Sequence, residues 1–179
     1  RDVAPSRGLG DVYKRQMYWY VARCKTGRTK KLVSTLNKQV NMNAFIPKSE
    51  RCFGRGETAE FIVKEIYPDY VFIKSDLDQE AFDEQFKEYF KTINGLVDLL
   101  EYKNTYPLTS EEQSLLEKLL DNTDTVKHTK GVIVDRRFVP TDGPLVGLED
   151  MIKKVDKYRR FATLDTEILT GKLLVAIDY

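Results

Sequence analysis

The hydrophobic pattern of the chain changes at residues 121–130, and this change limits what it can fold into. Before this polar stretch, strand-like runs alternate with amphipathic helices. After it, the apolar runs are short and separated by turns, with no helical period. About fifty residues of short strands suggest a small closed barrel, since closure removes free sheet edges. We therefore predict an α+β domain, with an antiparallel sheet flanked by helices, followed by a small all-β barrel.

The first part of the chain contains runs of apolar, β-branched and aromatic residues that are typical of strands. The Gly54-Arg-Gly56 sequence predicts a hairpin tip between two of them. Pro47 indicates an edge strand or a strand end. The predicted strands are 18–22, 44–48, 51–53, 60–64, 69–74 and 95–100.

Amphipathic helices are predicted in the same part of the chain at 28–37, at 79–91 and after Thr109. The first has a basic outer face. The second places Phe82, Phe86 and Tyr89/Phe90 on one side, which is typical of a helix packed on a core. Thr109 and Glu112 have the spacing of a capping box, in which each side chain accepts a free backbone N–H of the other residue.

The second part of the chain predicts strands at 136–139, 151–155, 160–164 and 173–177, with a compact turn at 143–147. We place a first domain at 17–120, a linker at 121–133 and the β-barrel domain at 134–179. Residues 1–16 have no hydrophobic period and resemble translated adaptor sequence. A basic nucleic-acid-binding arm is the alternative interpretation of this segment. Because Tyr179 closely follows the last predicted strand, we expect the natural protein to continue beyond it.

Composition argues against several classes of function. The 29 Lys and Arg residues nearly balance the 28 Asp and Glu residues, so bulk charge does not drive nucleic-acid binding. No apolar run reaches the roughly 20 residues of a membrane-spanning helix. Cys24 and Cys52 are the only cysteines, and we expect them to be reduced in a cytoplasmic protein. His128 is the single histidine, predicted in a solvated loop, so we expect no metal site, no cofactor and no enzyme activity.

Several motifs in this order resemble the NusG family of transcription factors. Trp19-Tyr20-Val21, the basic helix after Gly27 and Tyr67-Pro-Asp-Tyr-Val-Phe72 resemble the family's N-terminal (NGN) domain. Residues 142–148 and 152–156 resemble its KOW domain. Each motif is weak alone, but their order and spacing over residues 17–179 are specific.

The resemblance implies a factor that binds RNA polymerase. In the family, the NGN domain docks on the clamp helices of the polymerase, which promotes processive elongation. Tyr67, Tyr70 and Phe72 match positions of the motif that contributes to this contact, and aromatic residues often dominate interface energetics. The alternative is that these rings are ordinary core residues of a strand. Trp19 is expected in the core.

Departures from the family pattern suggest a specialised member. Asp69 and Asp150 replace the usual glycines, although aspartate tolerates left-handed backbone better than most residues. Leu145 and the Leu169-Thr-Gly-Lys172 turn replace aromatic positions that serve contacts with ribosomal protein and termination factor. The sequence is in this respect similar to operon-specific antiterminators of the LoaP group. A general elongation factor is the nearest rival interpretation.

Residues 153–160 form a basic patch with five bases, one acid and one aromatic residue. Such a patch at a turn suits RNA phosphates, with the aromatic ring free to stack on a base. A solvated, solubilising hairpin tip is the alternative. The predicted RNA-binding residues, with a nascent RNA hairpin as a candidate partner, are Lys153, Lys154, Lys157, Tyr158, Arg159 and Arg160. A KOW-type RNA-binding or ribosome-associated module without polymerase contact is the competing function.

Overall fold

The computed structural model describes residues 16–93, 108–169 and 171–179. The predicted strand at 95–100 and all but the last residue of the 1–16 segment lie outside the described residues. The chain forms two compact units, and each is described by itself. The first consists of residues 1–45 and 69–108, and the second of residues 46–68 and 109–179.

The helices in chain order are α1 (Thr29–Leu36), α2 (Gln79–Lys91) and α3 (Ser110–Leu119). The strands are β1 (Tyr18–Arg23), β2 (Asn43–Phe45), β3 (Lys48–Phe53), β4 (Glu60–Glu65), β5 (Tyr70–Ser75), β6 (Thr125–Val126), β7 (Thr129–Val134), β8 (Arg137–Asp142), β9 (Ile152–Asp156), β10 (Phe161–Ile168) and β11 (Gly171–Asp178).

The first unit contains a three-stranded antiparallel sheet with β5 at its centre, between β1 and β2. β-branched and aromatic residues make β5 apolar, and its Val71, Phe72 and Ile73 are fully buried. The ring of Tyr20 stacks on that of Phe82 from α2, with centroids 4.0 Å apart. Aromatic rings therefore pack together with aliphatic side chains in the core of this unit.

Helix α2 has the predicted bounds, and the three phenylalanines of its predicted apolar face are buried, whereas Tyr89 is half-buried. Phe82, Phe86 and Phe90 are at most 6% exposed. Asp78 caps the helix by accepting the backbone N–H of Ala81 at 2.9 Å. The helical period of the sequence therefore predicted both the element and the side that it buries.

The second unit contains two sheets. The β3–β4 hairpin forms around Gly54, as predicted, and β6 adds a parallel strand to β3. The other sheet is curled and has the strand order β8-β7-β11-β10-β9. This mixture of helices with a largely antiparallel, all-β C-terminal part confirms the predicted α+β fold class.

Helix α3 begins at the predicted capping box. Thr109 accepts the N–H of Glu112 at 3.1 Å, and the Glu112 carboxylate accepts the N–H of Thr109 at 2.9 Å. These bonds satisfy donors that have no partner within the helix. The helix buries its own Leu115, Leu116 and Leu119.

Two predicted segments differ in the structure. The single strand expected at 44–48 is divided into β2 and the start of β3, because Pro47 has no N–H to donate to a ladder. The segment 121–133, expected to be a linker, contains β6 and most of β7. Thr125 and Thr129 in it are buried, so these polar residues belong to strands of the second unit.

Candidate nucleic-acid interface

The three aromatic residues predicted to contact a polymerase differ in exposure. Phe72 is fully buried in β5, and Tyr67 is 5% exposed. Burial, together with the negative charge of Glu112, raises the pKa of Tyr67 well above its ordinary value. Tyr70 is half-buried at the start of β5, opposite Arg23 of β1. Tyr70 is thus the residue of the three with side-chain surface to offer a partner.

The predicted RNA-binding residues lie on β9 and on the turn that joins it to β10. Asp156 shapes the turn by accepting the N–H of Arg159 at 2.8 Å, and Arg160 adopts a left-handed backbone with φ of 58°. The turn leaves Lys157, Tyr158 and Arg159 exposed, and Tyr158 is 69% exposed. Proteins that bind single-stranded nucleic acids combine cations, which contact the phosphates, with aromatic rings on which the bases stack.

Two of the predicted cations already have carboxylate partners. Lys153 lies 3.7 Å from Asp165, a pair that is largely exposed and therefore weak. Arg160 donates to Asp178 at 2.8 Å, and its guanidinium lies 5.2 Å from the ring centroid of Tyr179. Arg160 therefore helps to hold the turn against β11.

Three predicted cations remain available for an anionic ligand. Lys154, Lys157 and Arg159 are exposed and have no carboxylate partner within the described part of the chain.

The second unit also contains a groove between the β3–β4 hairpin and the β9–β10 turn, with a volume of about 590 Å³. We call it the hairpin groove. The hairpin contributes three cations that the sequence did not mark as part of a site: Arg51, Arg55 and Lys64. The other lining residues are Cys52, Phe53, Gly54, Glu65, Tyr158, Arg159, Arg160, Phe161 and Leu174.

The tip of the hairpin fixes where Arg55 lies. Gly54 has φ of 87°, and a Cβ at this position would overlap the carbonyl oxygen of Thr58. Only glycine fits there. The Thr58 hydroxyl then donates to the carbonyl of Arg55 at 2.7 Å. In this position the guanidinium of Arg55 lies 4.8 Å from the ring centroid of Tyr158, within the range of a cation–π contact.

Arg51 is an unusual cation because part of its guanidinium is removed from water. Its Nε is buried and has no hydrogen-bond partner among the described residues. Burial lowers the pKa of Arg51 from its ordinary value, since it disfavours the charged form. The charge therefore stands at the groove without a compensating carboxylate.

His128 holds the hairpin in place although it lies 78 positions from Glu50 in the sequence. Its Nδ1 lies 2.8 Å from Oε1 of Glu50 on β3, and its ring stacks on that of Phe61 with centroids 4.0 Å apart. His128 lies in a loop between β6 and β7, as expected, but the expectation that it is solvated was wrong, since its side chain is 24% exposed. Glu50 and Phe61 attract the ring because they supply a carboxylate and an aromatic face, and both come from the hairpin.

The sequence offered little sign of the hairpin groove. Arg51, Arg55 and Lys64 are dispersed along a hairpin and form no run of charge. Only their position in the same groove as Tyr158 indicates that they form part of a site.

Among the described residues, no cluster of three or more His, Cys, Asp or Glu side chains is placed to hold a metal ion. Helices long and apolar enough to cross a membrane are likewise not found among residues 16–93, 108–169 and 171–179.

Comparison with known proteins identifies the family. The family model described as "NusG: Transcription termination factor nusG" matches residues 17–117, more than half of the 179 residues. A solved structure described as "Domain interaction in Thermotoga maritima NusG" is 18% identical and aligns over 90% of this chain and 93% of its own, with a TM-score of 0.46. The search of curated proteins returned no match. On the strength of the family-model match, this chain belongs to the NusG family of transcription factors.

Proposed function

We propose that this protein binds bacterial RNA polymerase in the cytoplasm and promotes processive elongation and antitermination, without catalysing a reaction itself. Residues 17–120 form the polymerase-binding domain in this proposal, and residues 134–179 a KOW domain that docks RNA or a protein partner. Membership of the NusG family is the observation that carries the proposal, because the matched segment covers most of the polymerase-binding part.

Tyr70 supplies the polymerase contact in this proposal. It is half-buried at the start of β5, whereas Phe72 lies in the core of the same strand. Phe72 acts by fixing the position of the strand, and Tyr67 acts through packing within its own unit. A partly exposed aromatic residue on a rigid strand provides contact area at low entropic cost.

The β9–β10 turn docks nascent RNA in this proposal. Lys154, Lys157 and Arg159 are exposed without carboxylate partners, and Tyr158 lies between them on the turn. Arg160 contributes less, because Asp178 already pairs with it at 2.8 Å, whereas the exposed pair of Lys153 with Asp165 is weak and leaves Lys153 available. The patch is local, as the nearly neutral charge of the whole chain requires.

Retention on immobilised bacterial RNA polymerase tests the first contact. Tyr70→Ala in the chain from Met17 is expected to weaken retention by about 10-fold or more, the loss typical of an aromatic hot spot. Tyr89→Ala is the matched control, since Tyr89 is also half-buried but lies on α2. Equal retention of the Tyr70 variant and the parent would contradict the assignment of this residue.

A salt titration of RNA binding tests the second contact. Lys154→Ala with Lys157→Ala is expected to lower affinity and to reduce the slope of log K against log salt by about 1.4 for single-stranded RNA, since each phosphate contact contributes about 0.7. Lys30→Ala with Lys31→Ala on α1 removes the same charge elsewhere and serves as the control. An unchanged slope would remove the turn from the RNA interface.

The specialised, LoaP-like role remains our proposal over a general elongation role. It is supported by Leu145, which is fully buried at the position where general factors carry an aromatic residue. The competing function is an RNA-binding or ribosome-associated module without polymerase contact. Binding of RNA in the absence of polymerase retention would favour that module.

A further inference from the structure

The hairpin groove has an excess of positive charge. Its lining includes five cations and one carboxylate, Glu65. Arg160 is neutralised by Asp178, but Arg51, Arg55, Lys64 and Arg159 have no carboxylate partner within the described part of the chain. A concave surface of one charge concentrates the field and attracts anions. The expected ligand therefore carries negative charge.

Arg51 indicates where that charge binds. Its Nε is buried without a hydrogen-bond partner, although a guanidinium can donate five hydrogen bonds. Leaving a partly desolvated cation unpaired is unfavourable, and an oxyanion would supply both the missing charge and the missing acceptor. Phosphate suits this role because arginine recognises it with two parallel hydrogen bonds.

Tyr158 indicates that the ligand also has a planar apolar part. The ring is 69% exposed, and Arg55 covers one side of it at 4.8 Å. A phosphate ion alone has no planar face that could stack on this ring. A nucleobase stacks well on a tyrosine and on a guanidinium plane, and the groove, at about 590 Å³, falls within the usual range of ligand-binding pockets.

We infer that the hairpin groove binds one unpaired nucleotide of a single strand, with its phosphate at Arg51 and Arg159 and its base stacked on Tyr158. The inference deepens the proposed RNA docking and rests on it. In a duplex each base is stacked on its neighbours and faces its partner, so it cannot reach the ring. The groove thus selects unpaired segments, such as a loop or a bulge, over helical ones.

Stacking can be measured directly with a fluorescent base. The probe is a non-self-complementary RNA dodecamer with 2-aminopurine near its centre, titrated with the chain from Met17. Stacking on Tyr158 is expected to change the 2-aminopurine emission on binding. Tyr158→Leu is expected to abolish that change and to weaken binding by about 5- to 100-fold, the range for loss of one stacked base. Tyr158→Phe should retain both.

Arg51→Gln provides a second test that keeps the ring. It is expected to weaken binding and to lower the salt dependence, while the emission change at saturation persists. Competition identifies the ligand class. An unlabelled single strand should displace the probe at least 10-fold better than a blunt RNA duplex of the same length. Competition by a DNA dodecamer of the same sequence then shows whether the ribose 2′-hydroxyl contributes to binding.

The possible failures are distinguishable. If duplex and single strand compete equally and Tyr158→Leu binds like the parent, the inference is overturned while RNA docking stands. If millimolar inorganic phosphate displaces the probe as effectively from Tyr158→Leu as from the parent, the groove is an anion site and the inference is also overturned. If no RNA binds, the inference fails together with the docking proposal. The proposed polymerase contact is then tested separately, by retention on polymerase.

Discussion

Oε1 of Glu50 accepts the backbone N–H of His128 at 2.6 Å and also lies 2.8 Å from Nδ1 of its ring. One carboxylate thus fixes both the backbone and the side chain of a residue far away in the sequence. The two side chains are 13% and 24% exposed respectively, so water competes only weakly for these contacts. This link ties the β3–β4 hairpin to the short segment between β6 and β7, and so supports one wall of the hairpin groove.

Removal of that carboxylate should destabilise the second unit. Glu50→Ala is expected to lower the free energy of unfolding by about 1–3 kcal/mol, because it leaves the shielded N–H of His128 without an acceptor. Glu50→Gln should cost less, since its amide oxygen can still accept. Urea unfolding measures both, and Glu57→Ala, which changes an exposed glutamate of the same hairpin, should fall within about 0.5 kcal/mol of the parent. Equal midpoints for all four proteins would remove this role from Glu50.

The turn before β5 should prefer glycine to alanine. Asp69 has φ of 73°, and it accepts the backbone N–H of Cys24 at 2.8 Å and the Thr26 hydroxyl at 3.1 Å. Asp69→Ala is expected to destabilise the protein by about 1 kcal/mol, since alanine tolerates the left-handed region poorly. Asp69→Gly should remain within about 0.5 kcal/mol of the parent, because relief of strain offsets the loss of an exposed hydrogen bond. Thermal unfolding of the three proteins checks the order, and an alanine variant as stable as the glycine variant would contradict it.

A phenylalanine should not fit at position 145. Leu145 is fully buried, and its N–H donates to the hydroxyl of Thr129, also fully buried, at 3.1 Å. Leu145→Phe is expected to destabilise the protein by about 1–3 kcal/mol through overpacking, whereas Leu145→Met should cost less than about 1.5 kcal/mol. Chemical unfolding compares the two. A phenylalanine variant more stable than the parent would show that this site accommodates the general-factor residue and would weaken the case for a specialised member.

Asp121 should contribute to stability only above the acid range. Burial raises its pKa, but hydrogen bonds from the Thr123 side chain and from the backbone of Thr123 and Thr125, together with Lys127, outweigh this and lower it overall. Because the folded-state pKa is depressed, the contribution is complete above the ordinary aspartate pKa of about 3.9 and is lost as the pH falls through the folded value.

Unfolding of Asp121→Asn and the parent should therefore be compared between pH 6 and pH 3. The variant is expected to be less stable at pH 6, with the difference shrinking as the pH falls below about 4. Asp150→Asn, at an exposed position, serves as the control. A difference that grows toward acid pH would contradict the direction of the shift.

Local patterns explain what could be predicted from the sequence. The bounds of α2 and its buried phenylalanines follow from the 3.6-residue period, and Thr109 with Glu112 marks the start of α3 through bonds between near neighbours. Gly54 likewise marks the hairpin because its backbone conformation excludes other residues. Each of these signals depends on residues a few positions apart.

The features that were missed depend on residues far apart in the sequence. Arg55 and Tyr158 come from two different hairpins, and nothing near either of them indicates the other. Thr125 and Thr129 have the sequence context of a polar linker. They are buried because the strands that contain them pair with β3 and β11, which lie far away in the sequence. The partners of His128, Glu50 on β3 and Phe61 on β4, are likewise far from it in the sequence, so the local sequence does not indicate its partial burial.

Single-round transcription by bacterial RNA polymerase through an intrinsic terminator tests the central claim most directly. The chain from Met17 would be added to templates with and without a candidate hairpin upstream of the terminator. Our account predicts that read-through rises on hairpin-containing templates and stays at the basal level on the others. A rise on every template would indicate a general elongation factor instead. Unchanged read-through on all templates, with no retention on the polymerase, would contradict the proposed function.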